Sequence, residues 1–69
     1  MPNLPKLKGK LREKGINYEQ GAEIIGKKTI TAFSNKMNGI SNFYLDEADK
    51  IAKALELTPA ERNEIFFED

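Results

Sequence analysis

Small polar side chains recur at helical spacing in the stretch TITAFSNKMNG, residues 29–39. On an α-helix, Thr31, Ser34, Asn35 and Asn38 would share one face, because residues three and four apart are neighbours. Hydroxyl and carboxamide groups both donate and accept hydrogen bonds, whereas Ser and Asn contribute little to helix formation itself. This face is therefore suited to a partner with hydrogen-bonding edges, such as the bases of a nucleic acid.

The same stretch carries an apolar stripe that would hold the helix in place. Ile30, Phe33 and Met37 recur at spacings of three and four, Thr29 is a good N-cap, and Gly39 can end the helix. We predict a helix at about residues 29–38. Ile30 has two interpretations, as a core residue of this stripe or as a residue that contacts bases.

A second short helix directly precedes this one. Asn17 is a good N-cap, Ala22 and Ile25 lie three apart on one face, and Gly26 can end the helix in a left-handed conformation. Two short helices with so brief a connection should cross at a large angle, as in a helix-turn-helix unit. This geometry favours DNA binding.

Three further amphipathic helices complete an all-α prediction. The first follows Asn3, buries Leu4, Leu7 and Leu11, and ends at Gly15. Its cations could contact phosphate or form an ordinary solvated face; they are Lys6, Lys8, Lys10, Arg12 and Lys14.

The fourth helix has an inner face of Leu45, Ala48, Ile51, Ala52 and Leu55, and an outer face of Asp46, Glu47, Asp49, Lys50 and Lys53. Phe43 should fill the core beneath the loop before it.

The fifth helix begins with the clearest boundary signal in the chain. Thr58-Pro59-Ala60-Glu61 is a capping box with proline at the first helical position. Phe66 and Phe67 point about 100° apart on a helix, so both cannot face one small core. One of them should be exposed or buried by a second subunit, and we predict a dimer contact there.

Composition narrows the class of protein. A chain of 69 residues without cysteine or histidine is one domain, residues 1–69, with no disulfide and none of the usual structural zinc sites. It has no apolar run of about 20 residues, so we expect a cytoplasmic protein without a membrane span. We expect no enzyme, cofactor or small-molecule substrate, because the carboxylates are scattered and a bundle this small has little room for a cleft.

Charge is distributed unevenly although the net charge is zero. Residues 1–40 hold eight Lys or Arg and three Glu, a net of +5, and residues 41–69 hold three against eight, a net of −5. The basic half carries the two-helix unit, which would orient the protein on a polyanion. Chance segregation of charge is the alternative.

Together these segments resemble the phage Cro and repressor family of helix-turn-helix proteins, most closely the small Cro-like regulators of phages of Gram-positive bacteria. The matching segments cover nearly the whole chain: LKGKLREKGINYEQGAEIIG, FSNKMNG, NFYLDEADKIAKALELTPAE and EIFFED. The resemblance implies a five-helix lambda-repressor-like bundle. Gly26 and Gly39 lie one residue further apart than in similar sequences, with the extra residue at Lys27-Lys28. The residues that read bases can therefore lie one position earlier or later on the helix.

The resemblance also implies which residues meet DNA and how the protein acts. Base contacts would come from Ile30, Thr31, Ser34 and Asn35. Phosphate contacts would come from Tyr18, Lys27, Lys28, Thr29, Lys36, Asn38, Ser41 and Asn42. Asn38 could equally be a turn residue and Tyr18 an inert surface residue. The family dimerises through its last segment, here Phe66 and Phe67, on a palindromic double-stranded DNA operator and acts as a transcriptional regulator of phage lifestyle. The alternative is a helical protein-interaction module, an antirepressor or adaptor, that keeps the fold without binding DNA.

Overall fold

The computed structural model of the chain describes residues 2–26 and 29–67. In these residues the chain forms five α-helices and no strand, which confirms the predicted all-α fold class. The helices are α1 (Leu4–Glu13), α2 (Tyr18–Ile24), α3 (Ile30–Met37), α4 (Leu45–Ala54) and α5 (Pro59–Phe66). None of them is both long and apolar enough to cross a membrane.

Side-chain caps fix where four of the helices begin. Asn3, Asn17, Thr29 and Thr58 are the N-caps, and each accepts a hydrogen bond from the backbone N–H three residues later, at 2.8–3.2 Å. Asn17 and Thr58 form complete capping boxes, because the side chain at the third helical position accepts a bond from the cap residue's own N–H. The four N-caps predicted from the sequence are confirmed.

The core is one cluster to which every helix contributes. Its buried members are Leu7, Leu11, Ala22, Ile25, Phe33, Met37, Ala48, Ile51, Leu55, Ile65 and Phe66. An edge-to-face series of rings runs through it from Tyr18 to Phe33, Phe43 and Phe66, with centroids 5.4, 6.0 and 5.7 Å apart. Phe43 is partly buried and packs on the core beneath the α3–α4 loop, as predicted.

Two predictions for α4 are wrong. Leu45 is 63% exposed and Glu47 is 2% exposed, whereas the sequence pattern placed Leu45 inside and Glu47 outside. The buried arc of the helix is centred between Glu47 and Ala52, which leaves Leu45 at its edge in the first turn. Glu47 is the third residue after the N-cap Tyr44, and its Oε1 accepts a bond from the Tyr44 N–H at 2.8 Å. Tyr44 is not one of the usual N-cap residues, so the sequence did not predict this bond.

Candidate nucleic-acid interface

α3 presents the continuous polar face that the sequence predicts. Thr31 is exposed, and Ser34 and Asn35 are partly exposed. With Ile30 and Asn38 they span about 140° of the helix surface, since successive residues are about 100° apart. Phe33 and Met37 are buried on the other side, and α3 packs closely on α2. The buried pair fixes the helix, and the polar arc remains accessible to a partner.

Ile30 belongs to the accessible side of α3. Its side chain is 50% exposed, so its interpretation as a core residue is wrong. The reason is its position: Ile30 is the first residue of the helix and lies at the edge of the face that holds Phe33 and Met37. Its exposed side chain is available for an apolar contact, such as a thymine methyl group.

The C-terminal end of α3 is stabilised by the residues that follow it. Asn38 is the C-cap, and its Nδ2 donates to Ser34 Oγ at 3.3 Å. The carbonyl oxygen of Asn35 accepts bonds from the N–H groups of Ile40 at 2.9 Å and Ser41 at 3.2 Å. Asn38 is thus a turn residue, and it bonds to Ser34, which stays partly exposed.

Lys36 is not available to a phosphate group. Its side chain is 7% exposed, and its ammonium group lies 3.1 Å from Glu47 Oε1. The same group donates to the carbonyl oxygen of Asn42 at 2.7 Å and lies 4.7 Å from the centroid of the Tyr44 ring. The prediction that Lys36 contacts phosphate is therefore wrong, because its ammonium group is buried and bonded within the chain. The sequence pattern could not show that a buried carboxylate lies opposite this lysine.

The other predicted phosphate contacts have different surroundings. Thr29, Ser41 and Asn42 are exposed. Tyr18 is half-buried, with the edge-to-face contact to Phe33 that holds its ring. Lys27 and Lys28, and with them the proposed extra residue in the turn, lie outside the described residues.

The two aromatic residues at the end of α5 have separate roles. Phe66 is 8% exposed and packs on Phe43, so its predicted role in dimerisation is wrong: it belongs to the core of its own chain. Phe67 is 44% exposed, and the Arg62 guanidinium lies 4.8 Å from the centroid of its ring. As predicted, only one of the two faces the core.

Ion pairs join α1 to α5. Lys6 Nζ lies 2.5 Å from Glu64 Oε2, and Lys10 Nζ lies 2.5 Å from Glu61 Oε2. The hydrogen bond from Lys10, together with that from the Thr58 N–H, lowers the pKa of Glu61 to about 2. The hydrogen bond to Glu61 in turn raises the pKa of Lys10. These two lysines are engaged within the protein.

Acid should weaken this junction in a defined range. Because the folded-state pKa of Glu61 lies below its ordinary value of 4.5, its contribution is complete above that value and is lost as the pH falls towards about 2. Glu61→Gln should therefore show a smaller fall in melting temperature between about pH 6 and about pH 3 than the unmodified chain. Thermal melts followed by circular dichroism measure this. Glu23→Gln, at an exposed position without an ion pair in the described structure, should keep the full fall.

Comparison with family models, curated proteins and solved structures finds no match for this chain. The assignment of a function therefore depends on the geometry of the chain itself.

Proposed function

We propose that this chain is a sequence-specific double-stranded DNA-binding transcriptional regulator that inserts α3 into the major groove. The observation that carries the proposal is the accessible arc of Ile30, Thr31, Ser34 and Asn35 on a helix whose opposite side is buried. An α-helix with side chains is about 10–12 Å across, and the major groove is about 12 Å wide. A rigid helix with an accessible polar face fits that space.

The types of these side chains suggest what would be recognised. Asn35 can pair with the two hydrogen-bonding groups of adenine, Ser34 and Thr31 can donate or accept, and Ile30 can meet a thymine methyl. α3 has no arginine, whose guanidinium is the commonest reader of guanine. We therefore expect an operator that favours A·T pairs and depends partly on DNA shape.

A pair of copies would supply the affinity that one small domain lacks. Two-fold symmetric helix-turn-helix proteins bind half-sites about 34 Å apart. Phe67 is the candidate contact between the copies, because it is a large apolar side chain that the chain itself leaves 44% exposed. The preferred operator should then contain inverted half-sites.

Selection of bound duplexes from a randomised pool, followed by fluorescence anisotropy on the selected sequence, tests this proposal. Asn35→Ala should weaken binding by about 1 to 3 kcal/mol and relax the preference at one base position. Asn63→Ala is the matched control, since Asn63 is an exposed residue of α5, and it should bind like the unmodified chain. If no sequence is enriched, or if Asn35→Ala leaves the selected sequence unchanged, α3 does not read bases. Absence of any duplex binding at low salt would favour the protein-interaction module.

A further inference from the structure

The four cations of α1 are divided between two sides of the helix. Lys6 and Lys10 point towards α5, where each lies 2.5 Å from a glutamate oxygen. Lys8 and Arg12, which are four residues apart and so share a face, have no ion pair within the part of the chain that the structure describes. Arg12 is exposed and Lys8 is half-buried. Within one helix, two cations are already neutralised and two are not.

Lys8 and Arg12 line two depressions, one against the start of α2 and one against the end of α3, which together we call the groove. On one side they share it with Ile16, Asn17 and Tyr18, at the start of α2. On the other side both line a depression with Met37, the last residue of α3. None of the described residues around either depression is acidic. The groove is therefore a basic surface that connects α1 with both helices of the two-helix unit.

We propose that Lys8 and Arg12 bind the phosphodiester backbone of the duplex whose major groove receives α3. The inference rests on the proposed function and adds α1 to its contact surface. The charge of the groove is opposite to that of the backbone, and a guanidinium can donate two parallel hydrogen bonds to one phosphate. In helix-turn-helix docking the helix before the recognition helix crosses the backbone. A strand that passes the start of α2 at Tyr18 would lie beside these two cations.

The ion pairs of α1 make a controlled experiment possible. Lys8→Gln/Arg12→Gln and Lys6→Gln/Lys10→Gln remove the same two charges from the same helix. The experiment measures the affinity of each variant for a duplex of arbitrary sequence, by anisotropy, between about 50 and 200 mM salt. Circular dichroism confirms that each variant is folded.

The two variants should differ in the salt dependence of binding. Each phosphate contact contributes about 0.9 to the slope of log affinity against log salt, so Lys8→Gln/Arg12→Gln should lower the slope by about two units. Lys6→Gln/Lys10→Gln should leave the slope unchanged. If only the total charge of the protein mattered, Lys6→Gln/Lys10→Gln should lower the slope at least as much, because this variant also leaves Glu61 and Glu64 without their lysines. Equal slopes for the two variants would overturn the inference.

Failure of this inference can be told apart from failure of the proposed function. Sequence selection by α3 with an unchanged slope in Lys8→Gln/Arg12→Gln overturns the α1 contact alone. A lower slope without any selected sequence supports the α1 contact and overturns sequence-specific recognition. No binding to any duplex at about 50 mM salt overturns both.

Discussion

Lys36→Met is expected to destabilise the folded chain by about 3 to 5 kcal/mol, because it removes the cation from a buried ion pair. The carboxylate of Glu47 is 3% exposed and lies 3.1 Å from the lysine ammonium. The same ammonium binds the carbonyl oxygen of Asn42, so the substitution also releases the α3–α4 loop. Urea unfolding followed by far-UV circular dichroism measures the change in the free energy of unfolding.

A second substitution separates the buried charge from simple loss of packing. Lys36→Met/Glu47→Gln removes both charges and keeps an oxygen that can accept the bond from the Tyr44 N–H. Replacing both members of a buried ion pair is often close to neutral, so the double variant should recover most of the loss. If the double variant is as unstable as Lys36→Met alone, the buried charge is not the cause. The double variant should also keep the salt dependence of duplex binding, since Lys36 is buried.

This ion pair shows where sequence reasoning fails in this chain. The sequence predicts Lys36 on an accessible face and Glu47 on a solvated one, since both are charged residues in amphipathic helices. Their burial depends on how α3 and α4 are placed, through a loop that brings Asn42 and Tyr44 to the same ammonium group. Periodicity within one helix carries no information about a charge on the next one. A phosphate contact was therefore predicted at a residue that serves the fold.

Local signals were far more informative. The N-cap side chains of Asn17 and Thr58 each bond to the backbone N–H three residues later. A helix start of this kind can therefore be recognised from four consecutive residues of the sequence. The polar arc of α3 could also be predicted, because the spacing of residues along a helix decides which of them share a face. The division of the α1 cations could not be predicted, since it depends on the glutamates that α5 brings to Lys6 and Lys10.

The sequence also contained an unused signal at Gly21. A glycine inside a helix lowers helix stability by about 1 kcal/mol relative to alanine, so it calls for a packing explanation. The structure supplies one: Gly21 is buried in α2, and a Cβ atom there would lie 2.5 Å from Phe33 Cζ. Phe33 is fully buried, with the rings of Tyr18 and Phe43 against it. Its ring therefore has little room to move.

Gly21→Ala should accordingly destabilise the chain by about 1 to 3 kcal/mol, the usual effect of overpacking a core. Gly9→Ala is the matched control: Gly9 is also helical, but a Cβ atom there would meet nothing within 4 Å. Because there is no clash, the higher helix propensity of alanine is the remaining effect, and Gly9→Ala should stabilise the folded chain by about 0.5 to 1 kcal/mol. Urea unfolding of both variants should give changes of opposite sign.

Trimming the facing ring tests the physical cause of the Gly21 effect. If the added methyl group collides with Phe33, Gly21→Ala/Phe33→Leu should lose less stability than the sum of the two single changes, because contacting residues are not additive. Additive losses would mean that the methyl group acts elsewhere. Since this contact sets how closely α3 approaches α2, Gly21→Ala should also weaken duplex binding under conditions where it remains folded.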